Sequence, residues 1–168
     1  MKSNYEVRAQ KFIRLIYDYL TECVDTYDFE IAVESFNHNH HRHVMFSHGL
    51  TRVALITSDY VVKIDYDAYQ VRRFGGGENE CAFYRIAEQE GYGYLFAKVS
   101  RYQYRDITFY IMPRIKGIGR YEEDATEFMT DEENDWCFDH GLCDLHNFNY
   151  GWKNGHIIIF DYGANAYS

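Results

Sequence analysis

The chain has 168 residues, of which 46% are hydrophobic and 18% aromatic, and a formal net charge of −9. That is enough apolar material for one packed core, and it leaves little room for long disorder. The acidity, with no lysine-arginine stripe, argues against a nucleic-acid partner; no apolar run approaches the roughly 20 residues that span a bilayer, and MKSNYEVRAQ lacks the apolar centre of a signal peptide, so no membrane partner and a cytoplasmic location are expected.

Residues 4–24 place Phe12, Ile13, Ile16, Tyr17 and Leu20 at helical spacing and predict an amphipathic helix. FNHNHHRHVMFSHG follows. Its His38, His40, His41, His43 and His48 have no interleaved carboxylate or cysteine to complete and orient a metal site, so a solvated loop running into a strand is expected. The segments HRHVMFS, RVALITS and YVVKIDY, separated by Gly49 and by Ser58-Asp59, predict an antiparallel meander. Beyond Gly75-Gly76-Gly77, residues 78–90 carry Phe83, Ile86 and Ala87 on one stripe and end at Gly91, which predicts a short helix. FAKVSRYQ and ITFYIMPRI, joined by Tyr104-Arg105-Asp106, predict two further strands. After Pro113 the chain turns acidic, and Thr130 with Glu133 makes a capping box for a helix whose apolar face holds Trp136, Cys137 and Phe138. Cys23, Cys81, Cys137 and Cys143 show no CxxC spacing and are expected as reduced, buried thiols.

Asn154-Gly155 is a strong hairpin signal, because a two-residue type I′ turn needs positive φ at both positions. Counting outward pairs Lys153 with His156 and brings Asn149 opposite Phe160, so Asn149 and Asp161 finish as neighbours at the hairpin mouth. Asp144 lies in the loop leading in. Two aspartates and an asparagine offer hard oxygen donors, which suit Mg²⁺ better than zinc or copper; equally, Asp and Asn are common solvated turn formers.

D-L-H-x-x-N at Asp144 to Asn149, followed by an apolar strand and D-Y-G at Asp161 to Gly163, resembles the catalytic loop and DFG motif of the protein kinase-like superfamily. The His146 variant is similar to aminoglycoside phosphotransferases and to phage-encoded protein kinases. V-V-K at Val61 to Lys63 resembles the strand-three lysine motif, Glu80 (rather than Glu78) stands where that family's helix glutamate is expected, and Ile111-Met112-Pro113-Arg114 resembles the hinge that receives adenine. The resemblance implies an α+β, protein kinase-like fold. It would have a five-stranded antiparallel N-terminal-lobe sheet with its helix C, a strongly reduced C-terminal lobe and an extra N-terminal helix. One domain over 1–168 is expected, with a helix and His-rich loop at 1–41, the N-lobe at 42–115 and the reduced C-lobe at 116–168.

The same resemblance implies ATP and Mg²⁺ as cofactors. Lys63, held by Glu80, would grip the phosphates; Gly49, Val53, Val61, Met112 and Arg114 would line the nucleotide; Asn149 and Asp161 would hold the metal; and Asp144 would orient the acceptor hydroxyl and take its proton. His146 would hold the catalytic loop. The sequence departs from the family in keeping one glycine, Gly49, in S-H-G-L-T-R-V-A, in reading L-C-D where the family has H-R-D, and in carrying only ANAYS after Gly163. Three readings follow: a phosphotransferase acting on itself, on a host protein or on a small hydroxyl compound, such as a phage or mobile-element accessory protein; a pseudokinase-like protein that masks a partner; or a homodimeric module in which a second subunit replaces the missing lobe.

Overall fold

The computed structural model describes residues 2–49, 51–66, 76–116, 124–142, 145 and 148–162. The fold is α+β, with a five-stranded antiparallel sheet in the order β1-β2-β3-β5-β4 and a separate two-stranded hairpin. Two compact units are formed, one by Met1–Gly77 with Ser100–Arg114, the other by Glu78–Val99 with Ile115–Ser168.

In the first unit, helix α1 (Asn4–Leu20) starts at a reciprocal capping box between Ser3 and Glu6, and its buried stripe is Ala9, Phe12, Ile13, Ile16, Tyr17 and Leu20. A second helix, α2 (Thr26–His40), follows. It corrects the expectation of a single N-terminal helix running into a His-rich loop. Asp25 caps it by accepting the Asp28 amide at 2.9 Å, and Phe29, Ala32, Val33 and Phe36 form its buried face. The helix ends where His41 turns left-handed at φ 50, and the Asn37 amide then clamps both main-chain groups of Val44 at 2.9 Å, leading the chain into the sheet.

The strands are β1 (Met45–His48), β2 (Arg52–Ile56), β3 (Tyr60–Asp65), β4 (Ser100–Tyr104) and β5 (Ile107–Pro113). Alternation gives each strand two faces. Val53, Leu55, Val62, Ile64, Phe109 and Ile111 bury one face beneath α1 and α2 in a single apolar cluster. Each such side chain contributes about 1.5–3 kcal/mol relative to exposure. The opposite face carries Ala54, Val61, Lys63, Tyr110 and Met112, as the pairings Ala54 with Lys63, Val61 with Met112 and Lys63 with Tyr110 show.

Helix α3 (Gly76–Gln89) begins in the first unit and continues in the second. The second unit also holds α4 (Asp131–Asp139) and the hairpin β6 (Tyr150–Lys153) with β7 (His156–Ile159). Thr130 and Glu133 make the capping box that starts α4, with Thr130 N–H donating to the Glu133 carboxylate at 2.7 Å. Phe83, Phe96, Trp136 and Tyr162 form an aromatic core whose contacting rings have centroids 5.1 to 5.9 Å apart. Phe138 does not join Trp136 and Cys137 in it: at 79% exposure it lies on the solvent side of α4, since three consecutive helical residues cannot share one face. Among the described residues no helix is long and apolar enough to cross a membrane.

Candidate functional site

Among the described residues the buried polar or charged side chains are Glu6, Lys63, Glu80 and Asn149. Charged groups are almost never buried unless something holds them there. Glu6 is held as the capping residue of α1 and by the Ser100 hydroxyl. The other three are residues singled out by the sequence motifs.

In the first unit Lys63 lies on β3 at 7% exposure, on the sheet face turned away from α1 and α2. Val61 and Met112 are direct cross-strand partners on the same face, Val61 half-buried and Met112 covered by protein at 1% exposure. Val53 is elsewhere. It pairs with Ile64 and is fully buried in the cluster under α1 and α2, so it corrects the expectation of a nucleotide-lining residue; the residue opposite Lys63 on β2 is Ala54. Arg114 braces the turn between β2 and β3: its amide donates to the Asp59 carbonyl at 2.9 Å and its Nη1 to the Thr57 carbonyl at 2.8 Å. Gly49 is exposed in the turn between β1 and β2, where its amide donates to the Arg52 carbonyl at 2.8 Å and its carbonyl accepts the Tyr66 hydroxyl at 3.0 Å. A Cβ on Gly49 would meet nothing within 4 Å, so the fold does not require glycine there.

In the second unit Glu80 is fully buried on α3, on the stripe that carries Phe83 and Ala87, whereas Glu78 is exposed. Helical spacing alone distinguishes these two acids. The hairpin has the register read from its turn: Lys153 opposite His156, Trp152 opposite Ile157, Tyr150 opposite Ile159, with Asn154 at φ 54 and Gly155 at φ 81. At its mouth the Asn149 carbonyl accepts the amides of Phe160 at 2.8 Å and Asp161 at 3.4 Å, which places the buried Asn149 and half-buried Asp161 side by side. Two oxygen-bearing side chains on adjoining main chain are a donor set that fits a hard cation such as Mg²⁺. Asp144, Cys143 and His146 lie outside the described residues, as do Gly163 and the tail. No group of three or more His, Cys, Asp or Glu side chains suited to a metal occurs among the described residues, and His38, His40, His41, His43 and His48 form none.

One anchor was not apparent from the motifs. Tyr162, fully buried, donates its hydroxyl to the Ala97 carbonyl at 2.7 Å and packs between Phe83 and Phe96, fixing the residue that follows Asp161. An aromatic after the motif aspartate carried the signal, but its partner lies far away in sequence.

No family model matches this sequence, and no curated protein matches it. Among solved structures, that of WbdD with the kinase inhibitor LY294002 is similar at 16% identity and a TM-score of 0.37, covering 71% of this chain and 32% of WbdD. This chain therefore spans less than two thirds of that protein's length, and a likeness at that score carries no argument.

Proposed function

We propose that the chain is an ATP- and Mg²⁺-dependent phosphotransferase of protein kinase-like fold, acting on a hydroxyl group of itself, of a host protein or of a small compound. The observation that carries this reading is the burial of Lys63, Glu80 and Asn149, at 7%, 0% and 7% exposure, in a set of described buried polar residues whose other member, Glu6, caps a helix. Buried polar and charged groups persist only where partners offset their desolvation, and the three that are kept here, each with such a partner, are the residue types and positions that the kinase-like motifs single out. On this reading Lys63 binds the phosphates, Glu80 takes the role of the family's helix glutamate, and Val61 contributes to the adenine surface. Asn149 and Asp161 hold the Mg²⁺, and Asp144 receives the acceptor's proton. The metal would supply charge neutralisation on the transferring phosphoryl group.

The test is a calorimetric titration of ATP with and without Mg²⁺, repeated on Asp161→Asn, followed by transfer of labelled γ-phosphate. Saturable binding that strengthens with Mg²⁺ and weakens in the variant, with label appearing on the chain or on an added acceptor, supports the reading. Binding without transfer to any acceptor would instead favour a pseudokinase-like protein that masks a partner, and absence of binding rejects both nucleotide readings.

A further inference from the structure

The start of α3 is built around a residue with no side chain. Gly77 is buried, and a Cβ placed on it would come far closer to the ring carbons of Tyr110 than van der Waals contact allows. The Gly77 amide also donates to the two carboxylate oxygens of Asp65, at 3.3 and 3.2 Å. An acid at the end of β3 thus does what an N-cap side chain does in other helices: it satisfies an amide that no helix carbonyl can reach and sets negative charge at the positive end of the helix. Arg52, paired across the sheet with Asp65, lies 4.0 Å from that carboxylate, and a Cβ on Gly76 would press on the Arg52 side chain at 3.0 Å. Tyr110 is itself buried at 3% exposure and is the cross-strand partner of Lys63, so its ring has little freedom to move aside.

We propose that Gly77 is a positioning residue: by admitting the Tyr110 ring against its main chain it sets where α3 begins, and so where the helix carries Glu80 one turn later. The proposal rests on the phosphotransferase role of Glu80. Alanine is a better helix former than glycine, so without this contact Gly77→Ala would favour α3. With it, the alanine displaces either Tyr110 or the first turn of the helix, and displacing the turn breaks the bonds to Asp65.

Gly77→Ala, Tyr110→Leu and the double variant are to be compared by amide hydrogen exchange over residues 78–89 and by Mg²⁺-ATP titration. Exchange in Gly77→Ala is expected to be about ten-fold faster, with ATP affinity falling by a similar factor, and both are expected to return towards the Tyr110→Leu values in the double variant. Wild-type exchange in Gly77→Ala, or a loss that the double variant fails to restore, overturns the proposal. So does a lower unfolding temperature with unchanged ATP affinity, the signature of a merely structural glycine. Should Gly77→Ala not fold, recovery of folding in the double variant supports the contact, and failure of the double variant while Tyr110→Leu folds overturns it. A wild-type chain that binds no ATP counts against the phosphotransferase reading and the role of Glu80, while hydrogen exchange still decides whether Gly77 sets the start of α3.

Discussion

Asn149 and Asp161 are joined through the main chain, the carbonyl of the first accepting the amide of the second at 3.4 Å. The tight turn at the other end of the hairpin therefore governs how these two residues meet. Gly155 has φ +81 with nothing within 4 Å of where a Cβ would sit, so Gly155→Ala meets no neighbour and its cost is that of a left-handed backbone, about 1–2 kcal/mol. Urea unfolding should show a loss of that size, and hydrogen exchange should show weaker protection of the Phe160 and Asp161 amides.

The two valines expected beside a nucleotide lie on opposite faces of the sheet, and their truncation should separate stability from binding. Val53→Ala opens a hole in the cluster beneath α1 and α2 and should cost about 2 kcal/mol in thermal or urea unfolding, leaving the ATP affinity of the folded protein unchanged. Val61→Ala, at a half-buried position on the Lys63 face, should cost less stability and lower ATP affinity. Equal effects on both measurements would contradict the assignment of faces.

The Tyr17 hydroxyl donates to the Asp106 carboxylate, tying α1 to the turn between β4 and β5. This bond, aided by burial, raises the Tyr17 pKa above the usual phenol value, and it holds the Asp106 carboxyl below the usual carboxylate range. For Asp106 the added stability is present above the ordinary carboxylate pKa and is lost as pH falls through the lowered folded value. For Tyr17 it is present below the ordinary phenol pKa and is lost as pH rises through the raised one. The difference in unfolding temperature between the wild-type chain and Tyr17→Phe should therefore be flat from about pH 4 to about pH 10 and shrink at both ends.

Burial pushes the Cys137 thiol up to about 12, with Glu133 adding to it, and pushes Cys23 up to about 11, with Asp28, Asp25 and Glu22 adding to it. The thiolate is the reactive form, so both side chains should resist alkylation at pH 8 in the folded protein and react once denaturant is added. Mass-spectrometric mapping of iodoacetamide labelling checks this; rapid labelling of Cys137 in the folded chain would contradict its buried environment.

Local patterns determined much of this protein. Strand alternation, the capping box at Thr130 and the positive-φ pair Asn154-Gly155 are interactions between residues close in sequence, so the five strands, α4 and the register that sets Asn149 beside Asp161 were legible before any packing was known. The helix at Thr26–His40 was obscured because its second half is rich in histidine and asparagine, while Phe29, Ala32, Val33 and Phe36 make sense as a stripe only against the sheet that they cover. Tertiary structure alone decided which face of β2 carries Val53, because period-two alternation defines two faces without saying which one the helices bury. It alone brought Asp65 and Tyr110 to Gly77 and Ala97 to Tyr162, because such contacts join residues far apart in sequence and form only when separate elements pack together.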